Sequence, residues 1–169
     1  MGFGALPFVL TELDRLPAGR ALDVACGKGR HLAALLDRGF EVMGVDRDRE
    51  ALAEAARRAP RATLLVRDVE ADGLPEDMSG TFDVVVTTFF LYRPLVPELF
   101  RALAPGGVWL LETFHVENHL RRGHPRRRAF SLEAGEARAL AEESGFELVS
   151  LDEGERGDVF TARLVARRP

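Results

Sequence analysis

The stretch Ala21-Leu22-Asp23-Val24-Ala25-Cys26-Gly27-Lys28-Gly29-Arg30-His31 decides how the chain is read. It predicts an apolar strand over 21–25, a small-residue turn with glycines at 27 and 29, and a helix over 29–38 that Gly39 stops. Gly27 and Gly29 carry no Cβ, so the backbone can turn sharply and a ligand can lie against main-chain atoms. A helix starting at Gly29 would aim its free N–H groups and positive dipole end at the same point, which favours a carboxylate or phosphate. Asp23 offers an acceptor to a cationic group. A ligand carrying both an ammonium and a carboxylate would suit such a turn.

Outward from this stretch, strand and helix signals alternate. Residues 8–16 have helical spacing and end at Pro17, giving a leading helix within 1–19. Strands are predicted over 40–45, 62–67, 82–88 and 108–114, and helices over 49–59 and 97–104. Pro97 suits a helix start, and Pro105-Gly106-Gly107 closes the same helix. The segment 71–80 has turn composition, and 115–130 shows no clean periodicity. A helix over 131–144 follows, with Ser131 as its cap and Gly145 as its stop. Strands over 146–152 and 159–167 close the chain, joined by a charged turn at 153–158.

Alternation of this kind forces parallel pairing through right-handed crossovers. The expected fold is therefore α/β: one domain over 1–169, with a doubly wound, seven-stranded, mostly parallel sheet. The last two strands are joined too tightly for a crossover and should form an antiparallel C-terminal hairpin. Ligands on such sheets bind at the carboxyl ends of the strands.

Composition narrows the functional classes. At 169 residues the chain can bury a real core but has no room for a second substrate domain. A net charge of −4 argues against generic nucleic-acid binding. No apolar run approaches membrane-spanning length, and the N-terminus lacks a signal-peptide pattern, so a cytoplasmic protein is expected. Cys26 is the sole cysteine, which leaves no disulfide framework and no cysteine metal cluster. It reads as a small buried residue of the turn.

Asp23, Asp46 and Asp68 each end a predicted strand and should line one crevice. Asp46 follows Gly29 at a spacing suited to gripping both hydroxyls of a ribose, a geometry that also repels a 2′-phosphate. For each Asp taken alone, helix capping is the competing role. A nicotinamide-dependent oxidoreductase of similar architecture needs a third glycine, where this chain has Leu32, and a Tyr-x-x-x-Lys pair, which the sole tyrosine, Tyr92, does not begin.

The run Asp23-Val24-Ala25-Cys26-Gly27-Lys28-Gly29 resembles the first signature of class I S-adenosylmethionine (SAM) dependent methyltransferases, acidic-x-small-x-Gly-x-Gly. The resemblance extends through Gly44-Val45-Asp46, Leu91-Tyr92-Arg93-Pro94-Leu95, Leu103 to Gly107, Leu111-Glu112-Thr113-Phe114, Gly123-His124-Pro125 and Ala129-Phe130-Ser131-Leu132. These phrases are similar to small bacterial methyltransferases related to the tellurite-resistance protein TehB. The resemblance implies SAM as cofactor and S-adenosylhomocysteine as product. It implies cofactor contacts from Asp23, Ala25, Gly27, Gly29, Arg30, Asp46, Arg47, Asp68, Val69, Thr87 and Thr88, with Asp68 accepting from the adenine amino group. It also implies a small-molecule acceptor, a thiol or a tellurite or selenite oxyanion. Thr87-Thr88-Phe89-Phe90 stands where base-amino methyltransferases carry Asn/Asp-Pro-Pro-aromatic, which lowers nucleic acid as a substrate. A protein that binds SAM without catalysis remains the third reading.

The acceptor side is expected in 115–130, which holds His115, His119, His124 and five arginines at 121, 122, 126, 127 and 128. One reading is an electropositive lid over an anionic acceptor, with His115, His124 or Arg126 acting on it. The other is a solvated surface loop. His115 and His119 could share a helix face, but the stretch lacks His-Glu-x-x-His and no metal is expected.

Overall fold

The structure is a computed structural model that describes residues 4–169. Seven strands form one sheet in the order β3-β2-β1-β4-β5-β7-β6. They are β1 (Arg20–Val24), β2 (Glu41–Asp46), β3 (Thr63–Val66), β4 (Phe82–Thr88), β5 (Leu103–Phe114), β6 (Glu147–Arg156) and β7 (Val159–Arg167). The β1–β5 pairs are parallel, and β7 runs antiparallel to both β5 and β6. The doubly wound sheet and its terminal hairpin are as the sequence predicts.

Strand periodicity explains how both faces are covered. Leu22, Val24, Val85, Trp109 and Leu111 join one core cluster, with side chains from α4 (Val69–Asp72), α5 (Val96–Ala102) and α7 (Glu136–Glu143). Their alternates Ala21, Val84, Val86, Val108 and Leu110 join the other, under α1 (Pro7–Leu13), α2 (Leu32–Asp37) and α3 (Arg49–Arg58). Successive residues point to opposite faces, so apolar runs are what a sheet buried on both sides requires.

Several boundaries differ from the sequence reading. The Gly turn continues to His31, held by Gly29 N–H donating to Cys26 O at 2.9 Å, so α2 starts at Leu32 and is only six residues long. Leading helix α1 ends at Leu13, short of Leu16. The turn-like 71–80 segment includes the end of α4 and a 3-10 turn at Glu76–Met78. Pro105-Gly106-Gly107 does not close α5, which already ends at Ala102; it lies in the irregular start of β5, where the register slips between Phe82 and Val84 and a Cβ on Gly107 would lie 2.8 Å from Ala104 O.

The 115–130 segment is not a plain loop. It contains α6 (Val116–Arg122), closed by Gly123 at φ 65°, and a 3-10 turn at Arg128–Phe130. Ser131 does not cap α7, which begins five residues later behind Gly135 at φ 73°. Leu132 instead bridges to the end of β5, its N–H donating to Phe114 O at 2.9 Å and its carbonyl accepting from Val116 N–H at 2.8 Å.

Candidate active site

Two adjoining cavities open at the carboxyl ends of β1, β2 and β4, and both are lined by Ala25 and Phe89. These are also the non-glycine residues with positive φ among the described residues, at 56° and 50°. Each costs strain that packing must hold, and such strain gathers where a ligand has to be approached closely. Phe89 is pinned by its N–H donating to Glu112 O at 2.8 Å, by the Phe114 ring at 4.8 Å and by the Arg30 guanidinium at 5.9 Å from its centroid.

The smaller cavity, about 180 Å³, is walled by Asp23, Cys26, Gly27, Lys28, Arg30, His31 and Thr88 as well as the shared pair. Asp23 is 1% exposed, and its Oδ2 makes no hydrogen bond; Arg30 Nη1 is buried and equally unpartnered. Leaving buried polar atoms without hydrogen bonds is costly, and a carboxylate and a guanidinium so placed in one cavity have the chemistry to take a ligand of paired opposite charges. The six-residue α2 has little macrodipole to offer, and the positive charge that lines the cavity beside it is that of Arg30.

His31 is a member of this site that the sequence reading passed over. It is buried, and its Nε2 accepts from Leu6 N–H at 3.3 Å, which puts the ring proton on Nδ1, facing Asp23 Oδ2 at 3.7 Å. Its place directly after Arg30 was the available signal. Cys26 packs inward: burial first, then the carboxylates of Asp23 and Asp46, pushes its thiol pKa up, so it stays a neutral filler. A Cβ on Gly44 would come within 2.9 Å of Cys26 Sγ, so the glycine in β2 makes room for it.

The glycines divide their work. A Cβ on Gly27 would meet nothing within 4 Å, so this residue faces open space. One on Gly29 would lie 3.0 Å from the side chains of Ala55 and Leu32 and 3.2 Å from Ala55 Cα. Gly29 thus permits close packing of the turn on α3, and it lines neither cavity.

The larger cavity, about 420 Å³, takes in Val45, Asp46, Arg47, Arg67, Asp68, Val69 and Glu70. Asp46 accepts from Gly27 N–H at 2.7 Å through Oδ2 and from Asp48 N–H at 2.9 Å through Oδ1, tying the Gly turn to β2. A carboxylate has about four acceptor positions, so Asp46 keeps free lone pairs for a ligand diol. Asp68 caps α4 through Glu70 N–H at 3.0 Å and Ala71 N–H at 3.4 Å, and its Oδ2 pairs with Arg47 at 3.4 Å. The capping role weighed against ligand binding is real for Asp68, which still lines the cavity. The rest of its lining is Phe90, Leu91, Phe114, His124, Pro125 and Phe130.

Besides Gly29, three sequence candidates line neither cavity. Thr87 is 2% exposed, and its hydroxyl accepts from Trp109 Nε1 at 2.9 Å inside the core; its neighbour Thr88 reaches the cavity. His115 is buried and caps α6, its Nδ1 accepting from Glu117 N–H at 3.2 Å, and it lines neither cavity. Arg126 is exposed and also lines neither. Both were expected at the acceptor; His115 is held instead by its capping bond at the start of α6, and Arg126 stands at the surface beyond that helix. Phe114 and Phe130 line the larger cavity instead; both stand in phrases that carry the family resemblance, which gave neither of them a role at the site. Among the described residues no group of three or more His, Cys, Asp or Glu side chains is arranged to hold a metal ion, and no helix is long and apolar enough to cross a membrane.

A methyltransferase domain model matches residues 21–107. Glycine/sarcosine N-methyltransferase of Halorhodospira halochloris is 31% identical over 128 residues, covering 69% of this chain and 48% of that protein. The chain thus spans about half the length of that curated relative. Among solved structures, a SAM-dependent methyltransferase from Listeria monocytogenes superposes with a TM-score of 0.77 at 16% identity, covering 96% of this chain and 98% of the other. A TehB-like SAM-dependent methyltransferase from Corynebacterium glutamicum gives 0.70 at 23%, covering 95% and 86%. These two likenesses are of fold. With the domain match spanning more than half of its residues, the chain belongs to the methyltransferase domain family, on the Rossmann-like fold of class I enzymes.

Proposed function

We propose that the protein is a SAM-dependent methyltransferase acting on a small molecule, a thiol or a chalcogen oxyanion such as tellurite or selenite. The observation that carries this reading is the pair of orphaned buried charges, Asp23 Oδ2 and Arg30 Nη1, in a cavity that adjoins the one lined by Asp46 and Asp68. An α-amino acid joined to a nucleoside has this polarity. Asp23 would take the ammonium, Arg30 the carboxylate, Asp46 the ribose hydroxyls and Asp68 the adenine amino group, with Val69 against the ring and Gly27 leaving space for the chain between. Ala25 and Thr88 complete the wall, and Arg47 neutralises part of the charge of Asp68 and Glu70.

When bound, SAM supplies a methyl group already activated by a sulfonium sulfur. The protein's share is then alignment and exclusion of water. Phe89, held at the junction of the two cavities, would align the acceptor and present a ring face to the positive centre. A soft nucleophile needs no strong base, which agrees with a site that has no catalytic dyad.

The test is transfer of labelled methyl from SAM to a panel of thiols, selenite, tellurite and small amines. Transfer to at least one acceptor, lost in Asp23→Ala, supports the reading. Tight SAM binding with no transfer to any of them would make the protein a SAM-binding module.

A further inference from the structure

Part of the lining of the larger cavity differs in chemistry from the acidic part that holds Asp46 and Asp68. Its wall is a chain of rings: Phe89 lies 4.8 Å from Phe114, and Phe114 lies 4.8 Å from the His124 imidazole, edge to face. Phe90, Leu91, Pro125 and Phe130 complete it, and Phe130 remains 44% exposed at the mouth. Beside these apolar residues, among the described residues, stands one titratable side chain that is neither acidic nor an arginine, His124. It is positioned through its backbone, its carbonyl accepting from Asn118 Nδ2 at 2.7 Å, and neither ring nitrogen has a hydrogen-bond partner among the described residues.

The arginines that would make the segment a receptor for anions are engaged or turned outward. Arg128 grips Glu133 with two bonds of 2.7 and 2.8 Å, Arg121 bonds Glu117 at 2.6 Å, and Arg122 pairs with Glu155. Arg126 and Arg127 are exposed and line neither cavity. None of these five arginines lines the aromatic wall, so an oxyanion there would find no cation from this segment.

Resting on the methyl-transfer reading, we propose that the acceptor is an uncharged, flat apolar molecule bearing a thiol, whose ring packs on Phe89 and Phe114 and whose S–H proton is taken by His124. The acceptor sulfur forms the new S–CH₃ bond as the bond from that methyl to the sulfonium sulfur breaks, leaving its electron pair on the donor sulfur. The thiol proton passes to a free imidazole nitrogen of His124 and then to water.

The experiment compares benzyl mercaptan with 2-mercaptoethanol, thiols of similar acidity differing in the ring, alongside selenite and tellurite, all with SAM and the full chain. Burying a phenyl group against aromatic side chains is expected to favour benzyl mercaptan by about tenfold or more in kcat/KM. Phe114→Ala should raise its KM about tenfold while the SAM dissociation constant stays within about twofold. His124→Gln should lower kcat by roughly tenfold to a hundredfold with little change in KM. Replacing Arg126 and Arg127 by Ala should leave all parameters unchanged. Preference for 2-mercaptoethanol or an oxyanion, or loss of activity in the arginine variant with Phe114→Ala unaffected, overturns the acceptor assignment and leaves the methyl-transfer reading standing. No SAM binding by calorimetry overturns both.

Discussion

Asp46 shows how one side chain serves fold and ligand together. Its carboxylate fastens Gly27 and Asp48 through their N–H groups, so the Gly turn is set before any ligand arrives, and lone pairs remain for a diol. Removing it should therefore weaken SAM by more than the lost contacts alone. Asp46→Ala is expected to reduce SAM affinity by about 1.5–3 kcal/mol, the scale of charge-assisted hydrogen bonds, with some loss of stability from the two unpaired N–H groups. Calorimetric titration and thermal melts of the same variant separate these effects. Unchanged SAM affinity in a folded variant would remove the ribose role. Asp23 differs in kind: it has His31 beside it but no hydrogen bond at Oδ2, so its stability cost is one the ligand would relieve.

At the scale of elements, the turn between β1 and α2 carries the site because its glycines are not equivalent. Gly29→Val should destabilise the protein by roughly 2–4 kcal/mol, combining a branched side chain at φ 79° with crowding against Ala55 of α3. Urea unfolding measures it. A folded Gly29→Val variant of unchanged stability would contradict the packing role. The sheet was legible in the sequence because strand signals are local: β4 and β7 have the bounds that periodicity predicts, and Asp46 and Asp68 stand at or just past the ends of their strands. The acceptor end was not legible. Its wall is assembled from Phe89, Phe114 and the 124–130 segment by contacts distant in sequence, and Leu132 reaching back to β5 shifts the start of α7 in a way no capping signal reports. The arginine-rich stretch drew attention to charge, whereas the fold sends Arg121, Arg122 and Arg128 into surface ion pairs and leaves Arg126 and Arg127 exposed outside both cavities.

Across the whole molecule, Arg93 ties the loop after β4 to the segment that carries the aromatic wall. Its guanidinium holds both oxygens of Glu136 and donates to the carbonyls of Ala129 at 2.7 Å and Ser131 at 3.0 Å. Burial alone would raise the Glu136 pKa; the bond from Arg93, helped by the Glu133 N–H, outweighs it and holds the carboxyl below its ordinary 4.5. A depressed folded-state pKa means that the stabilisation is complete above the ordinary value and is lost as pH falls through the folded one. Wild type should thus melt above Glu136→Gln at pH 7, and the gap should close as pH is lowered below 4.5. A gap that persists at low pH would show that the ion pair is not its source. The most direct test of the account as a whole is calorimetric titration of the intact chain with SAM, S-adenosylhomocysteine and NAD. The expected result is one-to-one binding of SAM and S-adenosylhomocysteine, weakened in Asp23→Ala and Asp46→Ala, with no heat from NAD. Tight binding of NAD with no heat from SAM would contradict it.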